Sequence, residues 1–331
     1  MQSLRLVVLA LALLGCSASL YSNNTDHMEY AWNQFKLDYN KRYASPAEDA
    51  SRFAIFVQNL AVADARNVAE QAAGGSAIHG VTKFSDLSQD EFASRYLKSV
   101  PPVGNTAERN VLPIDESVST SQDWTGTYTT PVKDQGYCGS CWAFSAVEQI
   151  ESDAMRTLGD SYILSPQQVV SCDDLQSEGC NGGWSEDAYN YVTQAGGIVQ
   201  ESTYPYSTAT SQRGITGTCQ TAETKSPVVT VSKYTTVSGE SAMASYVGST
   251  GPLSVCLDAS TWNSYTGGVM KVCGKSVDHC VQAVGVDTST SWKVRNSWGT
   301  SWGESGFIQL AYGSNTCDIT NDPTHVAVSN V

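Results

Sequence analysis

The stretch Gln135-Gly136-Tyr137-Cys138-Gly139-Ser140-Cys141-Trp142-Ala143-Phe144-Ser145 restricts the fold more than any other part of the chain. Its glycines mark a loop. From Cys141 to Ala154 there is no Pro or Gly, and Ala, Phe, Val and Ile recur at helical steps. A helix therefore begins at Cys141. At that end of a helix the macrodipole and the unpaired amides stabilise a thiolate, the form of cysteine that attacks carbonyl carbon. Cys138 and Cys141 admit three readings: a redox Cys-x-x-Cys pair, half of a zinc site, or a structural cysteine beside a nucleophile. Zinc needs a second ligand pair at matching spacing, and the sequence has none. A redox pair belongs in a thioredoxin-like βαβ context, which is missing here. The third reading requires a base and a group that orients it.

Four histidines are present, at positions 27, 79, 279 and 325. His27 and His79 precede a polar stretch with Pro101, Pro102 and Gly104 that reads as an exposed linker up to about Asp115, and His325 lies in the C-terminal tail. His279 opens the apolar, β-branched run Val277 to Val286, the pattern of a strand. Trp292 to Gly299 begins as a second strand and breaks into a Trp/Gly-rich loop, so a hairpin sets Asn296 beside His279. Taken singly, a histidine at a strand start is more often a satisfied or surface side chain, and an asparagine before a loop is more often a turn residue.

Length and charge narrow the function. The 331 residues exceed one average domain of roughly 100–200 residues, and 41% hydrophobic content supports a packed core. With 27 Gly and 10 Pro, collagenous and disordered classes are excluded. The net charge of −14 repels nucleic acid. Ten cysteines point to an oxidising compartment. Met1 to Ser22 carries Arg5, the apolar run Leu6–Leu14 and then small residues, which reads as a secretory signal peptide cleaved near Ala18 or Ser19. A competing reading takes Leu13-Leu14-Gly15-Cys16 as a lipoprotein box with Cys16 acylated. No apolar run reaches the roughly 18 residues a membrane span requires. The sequon Asn23-Asn24-Thr25 fits an export route.

Between Thr25 and about Leu97, Tyr30, Phe35, Leu37, Phe53, Phe56, Val57 and Leu60 stand among charges at helical spacing, which predicts two helices. Ser45-Pro46 opens the second, Ser as cap and Pro at the first helical position. Along it Glu48, Arg52, Phe56, Asn59, Ala63 and Asn67 share one face, as in any amphipathic helix. A loop at Gly74-Gly75 follows, and Gly80 to Asp86 reads as a short strand.

Together these residues resemble the papain-like cysteine proteases of the cathepsin L type, as a preproenzyme, over nearly the whole chain. The resemblance rests on Gln135-x5-Cys141-Trp142, on the His279 strand and on Asn296-Ser297-Trp298-Gly299-x2-Trp302-Gly303. His279 and Asn296 follow Cys141 at close to the family's separation of roughly 130–150 residues. Glu48, Arg52, Phe56, Asn59 and Asn67 match the family's pro-region signature, with Ala63 where Ile is usual. Gly80, Phe84 and Asp86 match its second pro-region motif, with Thr82 in place of Asn.

The resemblance implies an α+β, papain-like two-domain fold, a helical left domain and a β-barrel-like right domain with a cleft between, preceded by a helical inhibitory prodomain. The implied boundaries are a signal peptide over 1–19, the prodomain over 25–97, an activation linker over 98–111 and the peptidase domain over 112–331. Cys141 is then the nucleophile, His279 its base and Asn296 the group that orients the imidazole, with Gln135 and the Cys141 amide as oxyanion donors. Gly182 and Gly183 pair with substrate backbone. Trp184, Cys256, Asp278, Cys280, Trp298, Trp302 and Asp322 bind substrate, Trp298 also shielding the His–Asn bond and Asp322 lying at the floor of S2, where an acid accepts Arg at P2.

Three family disulfides carry over as Cys138–Cys180, Cys172–Cys219 and Cys273–Cys317. Cys256 and Cys280 remain, either as buried free thiols or as a fourth bridge that narrows the specificity pocket. No cofactor or metal is implied. Expected partners are polypeptide substrates, the chain's own prodomain and cystatin-like inhibitors, with no nucleic acid and no membrane anchor, for a monomer of the secretory pathway, in a lysosome or acidic vacuole or outside the cell. The same Cys–His pair also suits an acyltransferase. A catalytically silent binding homologue is the reading of a different class, and its usual mark, a lost nucleophile, is absent.

Overall fold

The computed structural model describes residues 19–99 and 120–331. The expectations for the signal peptide, Cys16 and the linker beyond Ser99 lie outside the described residues. The first helices are α1 (Thr25–Asp38) and α2 (Pro46–Ala72), capped by the Asn24 and Ser45 side chains. Met28, Trp32 and Phe35 of α1 pack on Phe56 and Leu60 of α2 in a small separate core. Each such fully buried apolar side chain is worth about 1.5–3 kcal/mol.

The polar side chains along α2 hold the segment that follows. Arg52 forks onto Glu91 at 2.6 and 2.8 Å, Asn59 donates to the Ser85 and Leu87 carbonyls, and Asn67 bonds both the N–H and the carbonyl of His79. Here the structure corrects the sequence reading twice. Strand β1 is Ile78–His79, and Gly80 to Asp86 is irregular, closing in turns over Lys83 to Asp86. The turns form because the Thr82 carbonyl accepts from the Ser85 N–H, while the Asp86 carboxylate is fixed by Lys41 and Tyr43. A third helix, α3 (Gln89–Tyr96), opens with a Ser88/Glu91 capping box.

The rest of the chain contains β2 (Ser121–Asp123), α4 (Cys141–Thr157), α5 (Pro166–Cys172), α6 (Ser185–Gln194), α7 (Thr208–Arg213), β3 (Val229–Thr236), α8 (Glu240–Ser249), β4 (Leu253–Leu257), β5 (Tyr265–Gly267), β6 (Val269–Met270), β7 (His279–Asp287), β8 (Ser291–Arg295), β9 (Phe307–Ala311) and β10 (Thr324–Asn330). One core joins α4, α5 and α6, with Trp142, Ile150 and Tyr189 buried. The other lies on β4, β7, β8 and β9, and Phe84, Phe92 and Tyr96 of the N-terminal region pack into it.

The main sheet runs β3-β10-β4-β7-β8-β9-β6, with β2 also paired to β7. It is an open sheet and not a closed barrel, because β3 and the two-residue β6 stand at opposite ends of the strand order. Helix α4 is buried from Cys141 to Ala154, polar residues included. Its buried acids are paired: Glu148 with Arg295, Glu151 with Lys133 and Asp153 with Arg156. The chain thus fixes both ends of the site, Cys141 on α4 and His279 on β7, on rigid elements.

Candidate active site

Cys141 is the first residue of α4, fully buried, and the only free cysteine among the described residues. The loop before it is held by the Cys138–Cys180 disulfide. His279 begins β7, and the β7–β8 hairpin pairs Gln282 with Arg295, which brings Asn296 back to the histidine. The Asn296 Oδ1 lies 2.8 Å from His279 Nε2 and also accepts from the Ser297 N–H at 2.8 Å. An atom that accepts from a backbone amide is the oxygen, so Nε2 carries the proton and donates. Nδ1 is left for the Cys141 side. Trp298 is fully buried with its ring 4.8 Å from the imidazole, and Trp302 packs edge-on to Trp298 while donating to the Trp262 carbonyl. This indole wall covers the buried His–Asn bond.

The electrostatics favour an ion pair. Burial opposes ionisation of Cys141, but the charge and hydrogen bond of His279, the Ser99 hydroxyl and the Cys280 amide outweigh it and pull its pKa down to about 7. Burial likewise opposes the charged imidazole, and Cys141, Asn296 and Asp278 together raise the His279 pKa. Asp278 is pushed up to about 6, chiefly by burial.

Gln135 is buried; its Nε2 donates to the Cys138 and Tyr96 carbonyls, and its Oε1 accepts from Ser297 Oγ at 2.7 Å. Gly182 has φ 128°, and a Cβ there would meet the Lys98 carbonyl oxygen at 2.3 Å. Gly183 pairs in parallel with Ser99. The Cys256–Cys280 disulfide is formed between residues that face each other across β4 and β7, and it clusters with Trp184. Trp184 Nε1 donates to Asp322 at 2.7 Å, and Asp322 has φ 54°. The backbone carbonyl of Asp278 accepts from the Ser99 N–H at 3.0 Å. Cys172–Cys219 and Cys273–Cys317 are also bonded.

Sequence reasoning missed Ser99. Its hydroxyl is 3.1 Å from Cys141 Sγ, yet Ser99 sits in the stretch read as linker. No side-chain pattern marks it, because its placement depends on backbone contacts to Asp278 and Gly183. The same holds for the Tyr96 carbonyl, whereas Ser297 stands within the Asn296–Gly303 motif and meets Gln135 through its side-chain hydroxyl.

A buried thiol at a helix start, an imidazole oriented by an amide, and a chain segment lying over both define a cysteine protease with its propeptide in place. The profile of the papain family cysteine protease domain matches residues 118–327, and that of the cathepsin propeptide inhibitor domain matches residues 32–92. The chain belongs to the papain family of cysteine proteases. It is 38% identical over 323 residues to cathepsin L 2 of Paramecium tetraurelia, covering 94% of this chain and 98% of that one. It is 36% identical over 316 residues to cysteine proteinase 1 of Dictyostelium discoideum, covering 87% and 89%. Among solved structures, digestive procathepsin L 3 of the Tenebrio molitor larval midgut superposes with a TM-score of 0.77 at 30% identity, covering 91% of this chain and 99% of that one. This is a cathepsin L-like cysteine proteinase carrying its inhibitory propeptide, and its substrates are peptides.

Proposed function

We propose that the chain is the zymogen of an endopeptidase that cleaves peptide bonds through Cys141, His279 and Asn296 by way of an acyl-enzyme thioester. The observation that carries this reading is the Asn296-held imidazole paired with a thiol whose pKa is drawn down to about 7. The Cys141 thiolate attacks the peptide carbonyl carbon, forming a C–S bond as the π electrons move to oxygen. Gln135 Nε2 and the Cys141 N–H stabilise that oxyanion, each donor worth about 2.7–4 kcal/mol. The His279 proton goes to the leaving amine as the C–N bond breaks. Water, deprotonated by His279, then splits the thioester and returns the acid and the thiol.

In this reading substrate replaces Lys98 and Ser99 along Gly182 and Gly183. Trp184, the Cys256–Cys280 bridge, Asp278, Trp302 and Asp322 shape the subsites, and Asp322 admits Arg beside aliphatic residues at P2. The boundaries are a signal peptide to residue 19, a prodomain over 25–97, a linker over 98–111 and a peptidase domain over 112–331, with activation cleavage between Glu108 and Val118. Four disulfides favour the secretory pathway and a lysosomal, vacuolar or extracellular destination. The active form is a monomer open to cystatin-like inhibitors. Cys141→Ser tests the assignment: the zymogen folds and hydrolysis of a peptide library after acid treatment vanishes. Wild-type turnover in that variant refutes it.

A further inference from the structure

Away from the cleft, a cavity of about 440 Å3 opens in the seam between the prodomain and the peptidase domain. Its walls carry Lys41, Arg42, Arg52 and Arg95 from the prodomain side and Arg213, at the end of α7, from the enzyme. Two carboxylates line it, and both are already engaged. Asp86 accepts from Lys41 at 2.8 Å and from the Tyr43 hydroxyl at 2.9 Å, and Glu48 accepts from the Ala44 N–H at 2.7 Å. Arg52 is committed to its fork with Glu91, while Arg95 reaches that carboxylate only at 3.7 Å and lies over the Tyr137 ring. Among the described residues neither Arg42 nor Arg213 has an ion-pair partner. A chain of net charge −14 has thus gathered three weakly compensated guanidiniums around one concavity, from both sides of a seam that must open for activity.

Guanidinium forks match phosphate and sulfate oxygens bidentately. Like charges across a docked interface repel unless an anion lies between them. We propose that this seam binds a compact multivalent oxyanion, a phosphate or sulfate ester of small size, which bridges the prodomain and the enzyme and holds the zymogen closed. A long polyanion is disfavoured, because the field of the rest of the acidic surface repels it. The complete site exists only while the prodomain is docked. By linkage, ligand at ten times its Kd lowers the population of the opened zymogen, and with it the rate of activation, about tenfold.

The binding arm of the test is independent of the chemistry assigned to Cys141. Sodium tripolyphosphate is titrated calorimetrically into the Cys141→Ser zymogen at low ionic strength, with sucrose octasulfate in parallel to separate phosphate from sulfate esters. One equivalent of at least one probe binds, and Arg42→Gln/Arg213→Gln weakens it at least tenfold without changing the thermal melt of the free zymogen. In the wild-type zymogen the bound probe slows acid processing about tenfold, and in the double variant the rate does not respond. Processed enzyme carrying Arg213→Gln keeps its wild-type turnover. Absence of saturable binding by either probe, equal binding to the double variant, or equal binding to processed enzyme overturns the proposal.

Discussion

The Tyr96 carbonyl accepts a hydrogen bond from the Gln135 side-chain amide at 3.3 Å. A prodomain backbone oxygen therefore occupies a donor that the proposed mechanism reserves for a developing oxyanion. Three residues further on, Ser99 covers Cys141, its hydroxyl 3.1 Å from Sγ, while it pairs with Gly183 and Asp278. The docked segment thus fills the site without distorting it, since His279 and Asn296 are already hydrogen-bonded.

The aromatic contact that keeps Tyr96 in place is open to substitution. Phe84 and Phe92 meet the Trp298 ring edge-on at 5.2 and 5.3 Å, and Phe92 is fully buried. Truncating a buried Phe to Ala costs about 3–5 kcal/mol. Phe92→Ala is expected to loosen the docked segment, so that the zymogen cleaves a fluorogenic peptide near neutral pH before processing. A fully latent Phe92→Ala zymogen would show that these rings do not hold the prodomain.

Acid is expected to act on a second contact. Arg66 donates to Ser264 Oγ at 2.7 Å, which directs the serine proton to His79 Nδ1 at 2.9 Å and requires that nitrogen to be unprotonated. Burial, and then the Arg66 charge, lowers the His79 pKa from 6.5 to about 4. The sign follows: above 6.5 the imidazole is neutral whether docked or released, and docking strength is complete. As pH falls from 6.5 towards about 4 the released form takes up the proton first, and docking weakens, by on the order of 3 kcal/mol once pH is below 4. His79→Gln should shift the pH midpoint of processing to lower pH, followed by gel. An unshifted midpoint assigns acid activation to other groups.

Beneath the site, Arg295 Nε is 3.4 Å from the Glu148 carboxylate with both side chains buried. Burial raises the Glu148 pKa to about 7 against the pull of Arg295 and Lys133. Removing one partner strands the other, so Arg295→Met is expected to cost about 3–5 kcal/mol in urea unfolding, and Arg295→Met/Glu148→Leu to recover most of it. Equal loss in the single and double variants would deny that the pair is coupled.

Much of this was legible in the sequence, for identifiable reasons. Cys141, His279 and Asn296 stood out because a helix start, a β-branched run and a Trp/Gly loop each have a local signature. The bridge between Cys256 and Cys280 depends on β4 and β7 being neighbours, which the spacing of the two cysteines alone does not reveal. What stayed hidden was carried by backbone or by closure. The Tyr96 contact, and the bonds that place Ser99 so that its hydroxyl reaches Cys141, use main-chain groups that every residue possesses. Gly80 to Asp86 alternates enough to suggest a strand, but Thr82 and Ser85 bond locally and turn it. The sheet is open because β3 and β6 end it without pairing to each other, a relation between distant segments that no periodicity reveals.

The most direct measurement is mapping of a covalent trap. Acid-activated enzyme is treated with a peptidyl epoxide, and the adduct is located by mass spectrometry while residual peptidase activity is followed. The account predicts one label per chain, on Cys141, with activity lost in proportion and the labelling rate reduced in Asn296→Ala. A label on any other residue, or full labelling of Cys141 with peptidase activity intact, would contradict it.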